Sequence, residues 1–231
     1  MKYFFDTEFH EYGFHLLDNS APTNTIELIS IGIVREDGKE FYKVSKDFDV
    51  EAAFNNKWLL HNVLSPILRE YQVSKFRFPY EPHLKQQEEN ITMATLVLKS
   101  FASSLSDIKT EILEFIGDDE SPEFYAYYAD YDWVVFCWLF GRMIDLPKNF
   151  PMYCRDLKQM MDERGLDKEW KREYCPDPEG IHNALEDAKW NLQLYNKMHE
   201  DPFITERTFS MSAEALKNRR SNETLLNHSN Q

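Results

Sequence analysis

Two acidic residues sit where a folding chain tolerates them least. In the run FFDTEF, Phe4 to Phe9, Asp6 and Glu8 stand two apart inside an apolar, aromatic segment. Such a run reads as a β-strand, and on a strand residues i and i+2 point to the same face. The two carboxylates then stand side by side, with their Cα atoms roughly 7 Å apart. Phe4, Phe5 and Phe9 mark the strand as interior, which puts the acids at its end or in a cleft. Two like charges there are costly unless a cation joins them, and a divalent metal ion is the obvious partner. Taken alone, a D-x-E also fits an acid pair on a solvated strand face, so the other ligands decide the matter.

The following chain supports a large mixed sheet. Thr25–Val34 (TIELISIGIV) is β-branched and apolar, Asp37-Gly38 is a hairpin turn, and Lys39–Val44 returns as an antiparallel third strand. His10 to Asn24, with Gly13, Asn19, Pro22 and Asn24, reads as a loop. Asp49–Leu68 reads as one helix and Thr92–Ile116 as a long amphipathic one, with Phe101, Leu105, Ile108, Ile112 and Phe115 on the buried stripe and Gly117 ending it. Glu123–Tyr128 is a strand and Tyr131–Met143 an apolar helix. Cys154–Arg164 is helical, Gly165–Gly180 a charged loop, and Asn183–Met198 the last strong helix, burying Leu185, Ala188, Leu192 and Tyr195. The order β-β-β-α-α-β-α-α-α gives an α/β fold: a mixed central sheet whose first three strands are antiparallel, with helices on its faces. Beyond residue 203 the chain is polar. Met211–Arg220 offers a short helix, and Ser221–Gln231 has the composition of a disordered tail.

Composition narrows the function classes. A 42% hydrophobic, 15% aromatic chain can fill such a core, and no run of about 18 apolar residues is present to span a membrane. With no signal-type start, the expected location is the cytoplasm. Cys137, Cys154 and Cys175 lack CxxC spacing, so neither a disulfide framework nor a zinc ribbon is indicated. The net charge of −14 has the wrong sign for a protein that coats long duplexes, because Lys and Arg supply nonspecific affinity for phosphates.

Three further residues complete a constellation. Asp132 follows a strand at the first turn of an apolar helix; a helix-start acid or cap is its ordinary role, and Asp130 competes for it. His182 and Asp187 lie five apart in HNALED, where a capping His and a solvated helix acid are the everyday alternative. Together, however, four carboxylates in three segments, each at a strand end or helix start, with a His before the last, form a set suited to metal chemistry. All-oxygen ligation favours hard ions, Mg²⁺ or Mn²⁺, over zinc. Two such ions about 3.5–4 Å apart can clamp the oxygens of an in-line phosphoryl displacement. A His that titrates near neutrality can take a proton from water.

Asp6 and Glu8, then Asp132, then His182-x4-Asp187 resemble the three motifs of the DEDD exonuclease superfamily in its DEDDh branch. Asn183 rules out the Tyr variant of the third motif. YFFDTEF, TIELISIGIV with EDGKEFYKVS, YDWVVFCWLFG and IHNALEDA are most similar to the small mycobacterial-type 3′→5′ exoribonuclease family, related to ribonuclease T, over residues 1–198. The resemblance implies a ribonuclease H-like fold in an exonuclease domain of residues 1–203. It implies release of 5′-mononucleotides from the 3′ end of single-stranded RNA or of a 3′ overhang. Asp6, Glu8 and Asp187 would hold the tighter of two Mg²⁺ or Mn²⁺ ions. Asp6 would bridge to the second, near Asp132, and His182 would be the general base. Glu8 and Phe9 would meet the terminal ribose or its base. The second motif often has Asn ahead of its Asp; Tyr127 and Tyr128 stand there in this chain. The motifs serve DNA exonucleases equally, so single-stranded DNA is the alternative substrate, and a silent nucleic-acid-binding module is the alternative from another class.

An acidic protein still needs a path for the strand. Lys75 with Arg77 (among Phe76, Phe78 and Tyr80), Arg155 with Lys158, and Lys168 with Lys171 and Arg172 are the basic clusters available. A homodimer, in which one copy brings basic residues to the site of the other, is the remaining route.

Overall fold

The computed structural model describes residues 1–14, 23–70, 84–178 and 182–200. The segments holding Lys75, Arg77 and their neighbouring aromatics, and the polar tail, lie outside these residues. Among these residues five strands form one sheet in the order β3-β2-β1-β4-β5: β1 Lys2–Phe14, β2 Thr23–Arg35, β3 Glu40–Val44, β4 Glu123–Ala126 and β5 Arg155–Asp156. β1–β2 and β2–β3 are antiparallel, while β1–β4 and β4–β5 are parallel. This is the ribonuclease H-like α/β arrangement. Among the described residues the helices are α1 Val50–Asn55, α2 Lys57–Leu59, a π-helical turn Leu60–Leu64, α3 Ser65–Glu70, α4 Leu84–Phe101, α5 Leu105–Ile116, α6 Asp130–Phe140, a 3-10 turn Met143–Asp145, α7 Leu157–Glu163, α8 Lys168–Tyr174 and α9 Ala184–Glu200. Among the described residues no helix is long and apolar enough to cross a membrane.

Contacts divide the chain into two compact units. One is Met1–Leu157 with Asp177–Leu192 and contains the whole sheet; the other is Lys158–Pro176 with the chain from Gln193 on. Within the second, α8 is capped by Asp167, whose carboxylate accepts the Trp170 amide at 2.9 Å.

Strand alternation splits the core. Tyr3 and Phe5 of β1, with Ile31 and Ile33 of β2, face Ile108, Ile112 and Ile116 of α5 and Trp133, Phe136 and Phe140 of α6. A bulge between Glu8 and Phe9 leaves Ile29 without an opposite residue, so Leu28 joins that same core while Ile29 packs with α1–α4. The other sheet face carries Phe4, Asp6 and Glu8 and receives the first turn of α9. That approach is so close that a Cβ on Gly32 would lie 2.2 Å from the Ala184 carbonyl oxygen. Gly32 is also the residue opposite Asp6 in the register. Only a glycine lets the backbone of α9 rest on the strand there.

Gly32→Ala is therefore expected to cost about 1–3 kcal/mol of overpacking, lowering Tm by roughly 2–10 °C. It should also reduce activity in the folded fraction, since α9 carries Asp187. Thermal melts with activity normalised to folded protein check both.

Several expectations are corrected. β1 runs to Phe14, because pairing with β2 overrides loop formers such as Gly13. The helix expected over Asp49–Leu68 breaks at Asn56, whose side chain accepts the amides of Trp58 and Leu59 at 3.1 and 3.2 Å. The helix expected over Thr92–Ile116 is two, because Ser104 and Asp107 form a capping box that starts α5. The strand expected over Glu123–Tyr128 ends at Ala126, and Tyr128 adopts a left-handed backbone with φ 57°. The stretch Cys154–Arg164 opens with β5, and the charged loop contains α8. The buried residues of α9 are Ala184, Ala188, Asn191, Leu194 and Met198 with Trp190, a stripe turned from the expected one.

Candidate active site

β4 pairs with β1 only from Lys2 to Phe4 and ends at Ala126. Past that point the β4 side of β1 is open, and there Asp6 and Glu8 stand. This is the carboxyl end of the parallel strands, where open α/β sheets place their ligands. A cleft of about 520 Å³ opens at this position and is lined by Asp6, Glu8, Phe9, Asp132, His182 and Asp187, all six residues expected from the sequence.

Each is placed by a definite local cause. Asp6 and Glu8 share a face because they are two apart on β1. Asp132 comes from the first turn of α6, but it does not cap that helix. Its Oδ1 accepts the Thr7 amide at 2.9 Å and the Thr7 hydroxyl at 2.5 Å, which draws it onto β1 between the two acids. Asp130, its competitor, is exposed. Asp187 comes from the first turns of α9, which Asn183 caps by accepting the amides of Leu185 and Glu186. Asn191, one turn further on, donates from Nδ2 to the Phe5 carbonyl at 2.9 Å and pins the helix to β1. His182 has φ 72° and donates its backbone amide to Asp187 Oδ2 at 3.0 Å. Its ring meets Trp58 edge to face, with centroids 4.6 Å apart. Phe9 stacks on Tyr131 at 5.7 Å.

Asp6, Glu8 and Asp187 each offer a carboxylate oxygen, and the three lie within 4.8 Å of one another. Glu8 and Asp132 are buried, Asp6 and Asp187 half-buried. Among the described residues none of the four forms an ion pair with Lys or Arg, and no Lys or Arg lines the cleft. The electrostatic result is strain. Burial, then Asp132, Glu8 and Asp187, push the Asp6 carboxyl well above its usual range. Burial, with Asp187 and Asp132, raises Glu8 to about 8. Burial raises Asp132 to about 6 against the opposing Thr7 hydrogen bonds. It also raises Asp187 to about 6 against the amides of His182 and Asn183. Burial lowers the His182 imidazole, which keeps it neutral and able to accept a proton. An all-oxygen, dianion-or-more donor set with no Lys or Arg beside it among the described residues fits a hard divalent cation.

These shifts have a sign that can be measured. A carboxyl whose folded pKa lies above its unfolded value holds its proton more tightly when folded, so stability is lost as pH rises between the two values. Metal-free protein is expected to lose thermal stability from about pH 5 to pH 8, by on the order of 5 °C. The imidazoles of His182 and His10, both lowered by burial, oppose this with smaller terms of opposite sign. Added Mg²⁺ or Mn²⁺ is expected to restore more stability at pH 8 than at pH 5. Melts in chelator and in metal at both pH values check it.

The basic clusters are mostly engaged. The Arg155 guanidinium lies over the rings of Tyr125 and Tyr153 and 3.7 Å from Glu123. Lys158 pairs with Asp162, and Lys168 lies 3.9 Å from Glu169. Cys137, Cys154 and Cys175 form no disulfide with one another. Sequence reasoning missed Thr7, Trp58, Tyr131 and Asn191. Thr7 lies inside the motif between its two acids, and Asn191 lies one helical turn from Asp187, a spacing that shares a helix face. Trp58 and Tyr131 carry no such signal.

Residues 14–199 match a family model described as the 3'-5' exoribonuclease Rv2179c-like domain, a span that holds Asp132, His182 and Asp187 but begins after Asp6 and Glu8. The chain is 33% identical over 197 residues to the 3'-5' exoribonuclease Rv2179c of Mycobacterium tuberculosis strain H37Rv, covering 84% of this chain and 91% of the relative. The same figures relate it to the 3'-5' exoribonuclease MT2234.1 of the CDC 1551 strain.

Proposed function

The chain belongs to the Rv2179c-like 3'-5' exoribonuclease family, and from that premise we propose that it removes 5′-mononucleotides stepwise from the 3′ end of single-stranded RNA or of 3′ overhangs. The observation that carries this reading is the meeting of Asp6, Glu8 and Asp187 within 4.8 Å, in the cleft that Asp132 and His182 also line. Asp6, Glu8 and Asp187 would hold one Mg²⁺ or Mn²⁺ ion, and Asp6 with Asp132 a second. When bound, such ions supply positive charge to the attacking and leaving oxygens of an in-line displacement. The chain's own groups do the rest. His182, neutral at working pH, takes the proton of the attacking water. The amide it donates to Asp187 and its ring contact with Trp58 hold it at the cleft. Thr7 keeps Asp132 aimed inward. Glu8 and Phe9 meet the terminal nucleoside, with the Phe9–Tyr131 stack as a platform on which an unpaired base can lie. Residues 1–203 act as the exonuclease domain, in the cytoplasm.

Incubation of 5′-labelled single-stranded RNA with Mg²⁺ tests the reading. A ladder shortening from the 3′ end, with 5′-mononucleotide product and slower loss of the matched DNA, is expected. Internal cuts, loss of the 5′ label first, or equal rates on DNA would contradict it.

A further inference from the structure

Asp132 is held by Thr7, but its place also depends on where α6 begins, and α6 has no cap of its own. Its first flanking residue is Ala129, whose side chain cannot accept a hydrogen bond. The turn before it is irregular, with Tyr128 left-handed. The acceptor comes instead from the neighbouring strand: Asp156 Oδ2 accepts the Ala129 amide at 2.8 Å. Asp156 lies on β5, and its register partner is Ala126, the last residue of β4. It thus closes the Tyr127-Tyr128 turn from the side, clamping the point where β4 becomes α6. The Ala129 carbonyl in turn accepts the Trp133 amide at 2.8 Å, which starts the helix. Asp156 is near enough for its charge to act on the Asp132 carboxyl. No motif includes it, and β5 is too short to show in the sequence.

We propose that Asp156 is a positioning residue for the nuclease centre: through the Ala129 amide it sets the start of α6, and so the aim of Asp132 and Tyr131 into the cleft. The inference rests on the two-cation reading of the site. A carboxylate that orients another without touching the reacting atoms should act on cation affinity and turnover, while leaving substrate affinity nearly intact.

The test is Mn²⁺ titration by calorimetry, with kcat and KM at saturating Mn²⁺, on wild type, Asp156→Ala and Asp156→Asn. Asp156→Ala is expected to weaken Mn²⁺ binding or kcat by about 10–100-fold, with KM within about threefold. Asp156→Asn keeps an oxygen for the Ala129 amide and should recover most of both. If the alanine protein does not fold, Asp156→Leu, similar in shape but without an acceptor, takes its place. Wild-type Mn²⁺ affinity and kcat in the variant lacking an acceptor would overturn the proposal, as would an asparagine variant equally impaired. Wild-type protein that binds no Mn²⁺ would instead overturn the cation reading on which it rests.

Discussion

Replacing His182 by alanine is expected to lower kcat by about 10²–10⁴-fold while leaving Mn²⁺ binding nearly unchanged. The imidazole is outside the carboxylate group that could hold an ion. Its link to that group is the backbone amide donated to Asp187, and alanine keeps an amide. What alanine removes is a neutral nitrogen base at the cleft wall, together with the ring that packs on Trp58. One confounding effect can be controlled. His182 sits at φ 72°, where alanine is strained and asparagine is tolerated. His182→Asn therefore separates the two causes: if the imidazole matters, it loses as much turnover as His182→Ala despite its easier backbone. A loss confined to the alanine variant would assign the effect to backbone strain.

Asp6→Asn is expected to lower activity by on the order of 10³-fold, the loss of several kcal/mol of charge stabilisation, and to weaken Mn²⁺ binding. It is also expected to raise the Tm of metal-free protein. Asparagine keeps the shape of the side chain but removes the charge that burial, Asp132, Glu8 and Asp187 all oppose. A carboxylate serving the fold would do the reverse, and its removal would lower Tm. The opposite movement of stability and activity is the mark of a residue kept in an unfavourable place for function. Calorimetric melts in chelator, paired with rates in Mn²⁺, read both.

The parts of this fold with a strong short-range period were legible in the sequence. β1 to β3 follow from alternation and from Asp37-Gly38, α6 from its apolar run, and α9 from the helical spacing of its apolar residues. What escaped was decided by tertiary contacts or by single polar side chains. Asn56 and Ser104 break helices that hydrophobic spacing alone would continue, because their oxygens compete for backbone amides. β5 is two residues long and exists only as a partner of β4. The stripe of α9 was misplaced because its tightest contact is made by backbone: the Ala184 carbonyl lies where a Cβ on Gly32 would stand. At the site, the acids announced themselves by being out of place in apolar segments. The choice of Asp132 over Asp130 had no such signal, since it depends on Thr7, 125 residues away in the chain.

A crystal structure of the protein with Mn²⁺ and a 5′-nucleoside monophosphate tests the central claim most directly, through anomalous scattering from the metal. Two peaks about 3.5–4 Å apart are expected, one against Asp6, Glu8 and Asp187 and the other against Asp6 on the Asp132 side, with the His182 ring facing the phosphate. No peak among these carboxylates at saturating Mn²⁺, or a nucleotide bound away from them, would contradict it.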